Sequence, residues 1–584
     1  MRTNTRVQFG LYDVTARQDS IPSSIAAQPF CDAERDLKME TDAVPTIVKY
    51  GTLEKKQFLM DGSFELFPEE PSGLFWGLWS KEQSDETGLF RTPPVLNVAF
   101  SKDHSSAGIT LHFYGPTGDW ASEVLIQWYG EEGQTLATGR FYPDEVDFFC
   151  DTKVEGYRRI SLQFLSTSRP GRYLKLTGID YGVSLTFSGQ EVVKAHVLEE
   201  VDLLSNEVSV NTLNLTLFNR QGKFSILNPK GVFDVLQHKQ KFTVYEDIRA
   251  DAKSPEKVTH NMGTFYLSDW ENTSDTLAEF SATDAVGLLD SAPFNGGVYD
   301  TTVGTLAAEI LDGYEYTLEE ELKELPVRGY LPKKTRRSSL QQLAFSIGAV
   351  VDCSRSDKIN IYRPPTRPSS LIAYRRKFQE SKVALKPLIT GVTVVAHQYT
   401  LGNEITQLYK DDLEPGKYEI TLSTPACCLE AEGAVIERQG NNFVVIVVEE
   451  AGTVVLQGKK YQESQTSVQF RAPNIPANAQ DNVLNVDGAT LVGPHNAADV
   501  AARILDYYAR RYEQKFRMIA GEEVLSDMLV VESFGGEKVR GCLERMEFDL
   551  TGGYRADVTV IGQRINTTAE AYAGEIRAGE RSMI

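Results

Sequence analysis

The chain has 584 residues and a formal net charge of −21, from 60 basic and 81 acidic side chains. That length suits about three to five domains of ordinary size, and so acidic a chain is a poor candidate for wrapping nucleic acid, whose phosphates it would repel. Six cysteines (Cys31, Cys150, Cys353, Cys427, Cys428 and Cys542), with no C-x-x-C among them, do not make a disulfide framework and read as free thiols of a reducing compartment. The N-terminal stretch MRTNTRVQFGLYDVTARQDS lacks the apolar core of a signal peptide, and no apolar run is long enough to span a bilayer. The 25 Tyr, 28 Phe and many Val-, Ile- and Thr-rich runs favour sheet.

In chain order, residues 1–90 read as an N-terminal β segment and linker, with β-like runs such as VPTIVKY and a loop-like stretch PEEPSGLFWGLWSKEQSDETG. Residues 91–188 carry short strands (VLNVAF, GITLHFYG, EVLIQWYG, YRRISLQFL, YLKLTGIDYG) separated by polar turns, the pattern of a β-sandwich. Ile160, Leu162 and Phe164 alternate as a half-buried strand requires. Residues 195–290 read as a second β unit. In NEVSVNTLNLTLFN the apolar phase slips by one residue between Val210 and Leu213, which reads as a bulge. KQKFTVYEDI and MGTFYLSDWE flank a polar hairpin tip, RADAKSPEKVTHN.

Residues 291–365 change to helical spacing. Val303, Leu306, Ala307, Ile310 and Leu311 share a face behind Thr301 or Thr302 as N-cap; a second helix starts near Ser338 or Ser339 and stops at Gly348, followed by the hairpin AVVDC–SRSD–KINIYR. Residues 383–562 return to β, with a small β domain inserted at about 405–475 and a hairpin turn at Gly440-Asn441-Asn442. A helix capped by Asn496 places Ala497, Val500, Ala501, Ile504, Leu505, Tyr508 and Tyr512 on its core face, and strands around MLVVES, KVRGCLERMEFDL and YRADVTVIG close the module. Residues 563–584 read as an exposed tail.

Chemistry is sparse. The chain has no P-loop, no G-x-G-x-x-G, no H-E-x-x-H and no G-x-S-x-G, and its seven histidines lack metal-ligand spacing. The expectation is a protein that is not an enzyme and takes no cofactor. Lys333, Lys334, Arg336 and Arg337 form a compact basic cluster that reads either as a contact for an acidic partner or passing DNA, or as a solvated loop; the solvated loop is favoured. Trp120, Trp128 and Tyr129 are candidate sugar contacts, because aromatic faces stack on sugar rings, although alternation puts Trp128 and Tyr129 on opposite faces.

The order of modules resembles the tail-tip or baseplate hub proteins of tailed phages and phage-derived particles. The residues that carry the resemblance are GTFYLSDW and FSATDA, then LPKKTRRSSLQQLAFSIGAVVDCSRSDKINIYRPP, then RMEFDLTGGYRADVTVIG. It spans about residues 195–562. It implies a mainly β, multidomain fold with α+β modules: two tube-like β domains (195–290 and 383–562), a small helical α+β domain between them, and a galactose-binding-like β-sandwich. It also implies a homotrimer whose pseudo-sixfold ring docks on the hexameric tail tube at the virion tail tip, assembled in the host bacterial cytoplasm. The implied partners are distal tail or tail tube, tape-measure and tip or fibre proteins, with DNA only in transit past an acidic lumen. The alternatives are a host-recognition protein binding a surface glycan through the sandwich, and a tail-associated cell-wall hydrolase. No internal sequence repeat links the two tube-like segments, so their equivalence rests on the resemblance.

Overall fold

The computed structural model describes residues 2–26, 54, 77–115, 117–219, 224, 238–249, 258–274, 276–378, 381–473 and 475–565. The run VPTIVKY, the hairpin tip at 250–257 and the tail from 566 onward lie outside the described residues. The fold is mainly β. The chain forms two compact units, one of Arg6–Glu191 and Asn219–Val244, the other of Met1–Thr5, Val192–Phe218 and Tyr245–Ile584.

The first of these units is a β-sandwich. One sheet orders Ile21–Ile25, Val95–Ser106, Val154–Thr167, Ala121–Tyr129 and Thr135–Phe141; the other orders Leu78–Trp79, Lys175–Asp180, Ile109–Phe113 and Asp147–Cys150. Alternation along each strand sends every second side chain inward. Val124, Ile126, Trp128, Ile160, Leu162 and Phe164 from one sheet meet Ile109, Leu111, Leu176 and Ile179 from the other in a single core. Residues 91–188 do not supply every strand. Ile21–Ile25 pairs with Val95–Ala99, and Leu78–Trp79, inside the stretch read as a loop, pairs with Lys175–Leu176. Two strands of the segment expected as linker therefore complete the sheets, because an edge left unpaired exposes a row of backbone donors and acceptors.

The other unit is built on one sheet that contains the same five-strand motif twice. In the first motif the strands are β1 (Val192–Glu200), β2 (Thr212–Phe218), β3 (residues 245–249 of the strand Lys241–Arg249), β4 (Val258–Ser274) and β5 (Leu277–Thr283). In the second they are β6 (Lys382–Leu385), β7 (Tyr512–Ile519), β8 (Met528–Glu532), β9 (Lys538–Asp549) and β10 (Arg555–Arg564). The sheet order of the first is β3-β4-β5-β2-β1, and that of the second is β8-β9-β10-β7-β6. Chain order and sheet order match strand for strand. The hairpins share one irregularity: β4/β5 slips register between Leu267 and Asp269, and β9/β10 slips between Leu543 and Arg545; β4/β5 slips again between Glu271 and Ser274, without a counterpart. One bulge therefore sits at Ser268 and its counterpart at Glu544. Superposing the bulges pairs Trp270 with Met546, Glu271 with Glu547, Leu215 with Phe516, and Val197 with Val383 through the strand registers.

The segments expected as two tube-like domains thus share a sheet, and β1 of the first motif pairs antiparallel with β9 of the second, from His196↔Asp549 to Glu200↔Arg545. The expected bulge near Val210 is instead a boundary. Val208 packs in the core of the helical unit, while Leu213, Leu215 and Leu217 begin with β2 and are buried in the sheet.

The helical unit between the motifs has helices Val303–Ile310 and Arg336–Ile347. Thr302 caps the first by accepting from Thr305 N–H. The second begins two residues earlier than expected, because Thr335 Oγ1 accepts from Ser338 N–H at 3.2 Å, and it ends at Gly348 with φ 75°, a conformation that favours glycine. The small inserted β domain sits at the end of a long ribbon, Gly391–Leu413 paired with Gly452–Arg471. Helix Ala497–Ala509 buries Ala497, Val500, Ala501 and Ile504, but Tyr512, expected on its face, begins β7. Asn496 makes no side-chain cap; its Oδ1 accepts from Gly493 N–H and its Nδ2 donates to Ser346 and Leu491 carbonyls.

Phe548 is fully buried opposite Val197 at the meeting of the motifs. Phe548→Ala should destabilise this unit by about 3–4 kcal/mol, read as an earlier urea transition followed by a signal from this unit; an unchanged midpoint would show that the two motifs hold without that contact.

Candidate assembly edges and candidate sugar-binding surface

The three aromatic residues singled out as sugar contacts do not share a surface. Trp128 is 0% exposed in the sandwich core, so its ring has no face to offer. Trp120 is half-buried against the same core. Tyr129 points to the other side of its strand, where the guanidinium of Arg159 lies 4.1 Å from its ring centroid. Alternation predicted the split between Trp128 and Tyr129, and burial removes Trp128 from the candidate site.

Two histidines of the sandwich are each held between two aspartates. His104 bridges Asp13 and Asp19 at 2.9 and 3.0 Å, and His112 bridges Asp147 and Asp180 at 2.8 Å each. Burial alone would lower the pKa of His112, but the charges of Asp180 and Asp147 and their hydrogen bonds prevail and raise it to about 10. The imidazolium therefore staples the strands Ile109–Phe113, Asp147–Cys150 and Lys175–Asp180. A raised histidine pKa contributes stability that is complete below the unfolded value of about 6.5 and is lost as pH climbs through about 10. His112→Asn should cost the sandwich about 3 kcal/mol at pH 6, since it takes the 2.8 Å partner from buried Asp180 and leaves the Arg17 guanidinium at 3.7 Å. Thermal melts of both proteins from pH 6 to 10.5 should converge; parallel curves would count against the imidazolium.

Three residues of the basic cluster are tied to neighbouring elements, while Lys334 is exposed. Arg336 donates to the carbonyls of Ile310 and Asp312 at the end of the preceding helix, Arg337 donates to Val208 C=O and Asp290, and Lys333 bonds Glu419 of the inserted domain. Arg336 and Arg337 lie in the first turn of a helix, and what read as a solvated loop is a set of ties between neighbouring elements. Nearby, Glu320 and Glu321 are exposed, and Glu320 pairs with Lys323.

The doubled sheet presents the more informative surfaces. At the β1/β9 joint, Val197, Met546 and Phe548 are fully buried and Glu199 is 1% exposed. Glu199 is matched by Arg355, whose Nε and Nη2 lie 3.0 and 3.2 Å from its two carboxylate oxygens, with the guanidinium 5.3 Å above the Phe548 ring. Burial disfavours the charge of both partners, and the carboxylate more than offsets this for Arg355, whose pKa lies above its ordinary value. On the solvent side of the joint, His196 Nε2 meets Glu547 at 3.0 Å.

The outer ends of the doubled sheet differ from this joint. On β6 all four residues are exposed, with Val383 at 59% and Leu385 at 57%, although their counterparts in the joint, Val197 and Glu199, are buried. On the first motif, Thr259 Oγ1 of β4 donates to Asp247 of β3 at 2.6 Å, and β3 is paired in turn with the strand Arg2–Tyr12. None of these edge residues was singled out from sequence. The signal was there: Lys382 and Lys386 bracket Val383-Ala384-Leu385 and Pro387 follows, a guarded edge strand. The open face between the strands of the second motif carries Lys515, Arg517, Arg545 and Arg555 beside Glu547 and Asp557, so it is mixed in sign.

Arg355→Met should cost about 3–5 kcal/mol, because it leaves Glu199 buried without its partner; Arg355→Met with Glu199→Leu should recover most of the loss. Failure of the double variant to recover, in denaturant titrations of both, would show that the pair is not what holds the joint.

No protein-family model matches the chain, and no curated protein matches it. Among solved structures it is similar to a 43 kDa tail protein of prophage MuSo2 from Shewanella oneidensis, at 10% identity and TM-score 0.38 over 65% of this chain and 94% of that one. It is similar to a tail protein from Neisseria meningitidis, at 9% identity and TM-score 0.39 over 65% and 93%. A prophage tail protein from Listeria monocytogenes follows, at 8% identity and TM-score 0.37 over 66% and 92%.

Proposed function

We propose that this protein is a structural hub at the distal end of a phage-type tail, in which three copies close a ring of six five-strand motifs. The observation that carries the reading is the doubled motif: two copies of one topology are already joined edge to edge in a single chain. A repeated unit whose two edges differ forms head-to-tail contacts, which either close into a ring or run on as a filament. The module order read from sequence supports the closed form, since six motifs match a hexameric tail tube. In this reading the ring joins the tube to the tip or baseplate, and tape measure and DNA pass through it. The role is scaffolding and not catalysis. The mixed charge of the open sheet face gives the passage both signs, in place of the acidic lumen expected from net charge.

The purified full-length chain should assemble to three times its own mass in mass photometry, and on mixing with the tail tube protein should cap one end of each tube in electron micrographs. A dimer, an open filament, or tubes without caps would overturn the hub.

A further inference from the structure

We infer that Cys427 and Cys428 form a dithiol site that closes to a disulfide between adjacent residues by exchange with a low-molecular-weight disulfide such as oxidised glutathione. The site lies in the small inserted domain, and the inference goes beyond the hub reading and does not rest on it.

The two sulfurs are already in contact. Cys427 Sγ and Cys428 Sγ lie 3.3 Å apart, although successive side chains of a regular strand point to opposite faces. A bulge brings them together. In the strand Ala426–Glu432, Cys427 stands opposite Lys459 and Glu430 opposite Gln457, so Cys428 and Leu429 together face Gly458. Cys428 has φ 55°, a conformation that favours glycine and strains a side chain. Across the bulge, a Cβ on Gly458 would lie 3.0 Å from the Cys427 carbonyl oxygen, so the facing strand comes this close only through a glycine. The strained place itself is held by a cysteine, and strain of this kind gathers where a segment has chemistry to do.

The surroundings suit exchange. Cys428 is exposed and Cys427 half-buried, whereas Cys150, Cys353 and Cys542 are buried. Burial, and then the neighbouring sulfur, raise the pKa of Cys427 against the opposing charge of Lys459. Cys427 therefore keeps its proton, and the accessible Cys428 is the attacking sulfur. The Cys428 thiolate attacks one sulfur of the small disulfide, forms a mixed disulfide and expels a small thiolate, which takes up the proton that Cys428 lost. Cys427 then gives its proton to solvent and attacks Cys428 Sγ, and the second small thiol leaves. Two protein thiols are oxidised, one small disulfide is reduced to two thiols, and nothing else is consumed. Adjacent Cα atoms stand about 3.8 Å apart, below the usual span of a disulfide, so the bridge reopens readily in a reducing thiol pool. The site is a reversible switch in the bulge and not a structural staple.

The test exposes the reduced full-length chain to oxidised glutathione, blocks the remaining thiols with N-ethylmaleimide and maps the tryptic peptide Tyr418–Arg438, which holds both sulfurs. The peptide should be lighter than its dithiol form by two hydrogen atoms and carry no maleimide, and dithiothreitol should restore both labelling positions. Cys427→Ser should instead hold glutathione on Cys428 as a mixed disulfide that persists. In the chain unfolded by urea, closure should be at least about tenfold slower, because the bulge no longer holds the sulfurs together. A wild-type peptide that keeps glutathione, takes two maleimides or is joined to a second chain overturns the site. A Cys427→Ser chain that takes up no glutathione, or closure as fast in urea as in the folded chain, overturns it as well.

Discussion

Strand edges must be satisfied, and this constraint shapes both units. An edge is a row of unpaired N–H and C=O groups that will recruit any compatible strand. In the sandwich, short strands from residues 21–25 and 78–79 are drawn in from outside the main run to finish the two sheets. In the doubled sheet, the first motif satisfies one edge by pairing β1 to β9. What remains among the described residues is the exposed edge strand β6, with Val383 and Leu385 uncovered.

Much of this was legible in the amino-acid order. The sandwich strands, the helix capped at Thr302, the stop at Gly348 and the turn at Gly440-Asn441-Asn442 all follow from alternation, capping and turn chemistry. Three features misled for identifiable reasons. Tyr512 lies four residues after Tyr508 and continues the helical stripe, yet the helix ends at Ala509 and the same tyrosine opens a strand. The phase slip before Leu213 marked the passage from one core to another. Arg336 and Arg337 looked like loop charge, while both serve as donors to backbone carbonyls at the start of a helix.

The duplication itself was not legible. Equivalent positions share only pattern, as with Leu215 and Phe516 or Trp270 and Met546, and identities such as Glu271 with Glu547 are too scattered to stand out. The second copy is also interrupted, since β6 ends at Leu385 and β7 begins at Tyr512, with the ribbon, the inserted domain and a helix between them. Sheet topology is blind to that distance, because a strand needs only a neighbour of the right register. The candidate sugar site met the opposite fate: aromatic residues close in sequence were dispersed by the strand period, which buried Trp128.

One consequence follows from Glu199. In the joint inside the chain a carboxylate is buried with Arg355 already folded above it, while the counterpart position on the open edge is Leu385, which carries no charge. A buried ion must meet its partner as water leaves, or the penalty falls on the encounter. Within one chain the partner arrives by folding, at an effective concentration no second molecule matches. An edge that carries Leu385 in that place meets no such ion penalty. The difference of one side chain separates a joint that depends on its partner being within the same chain from an edge free of that demand.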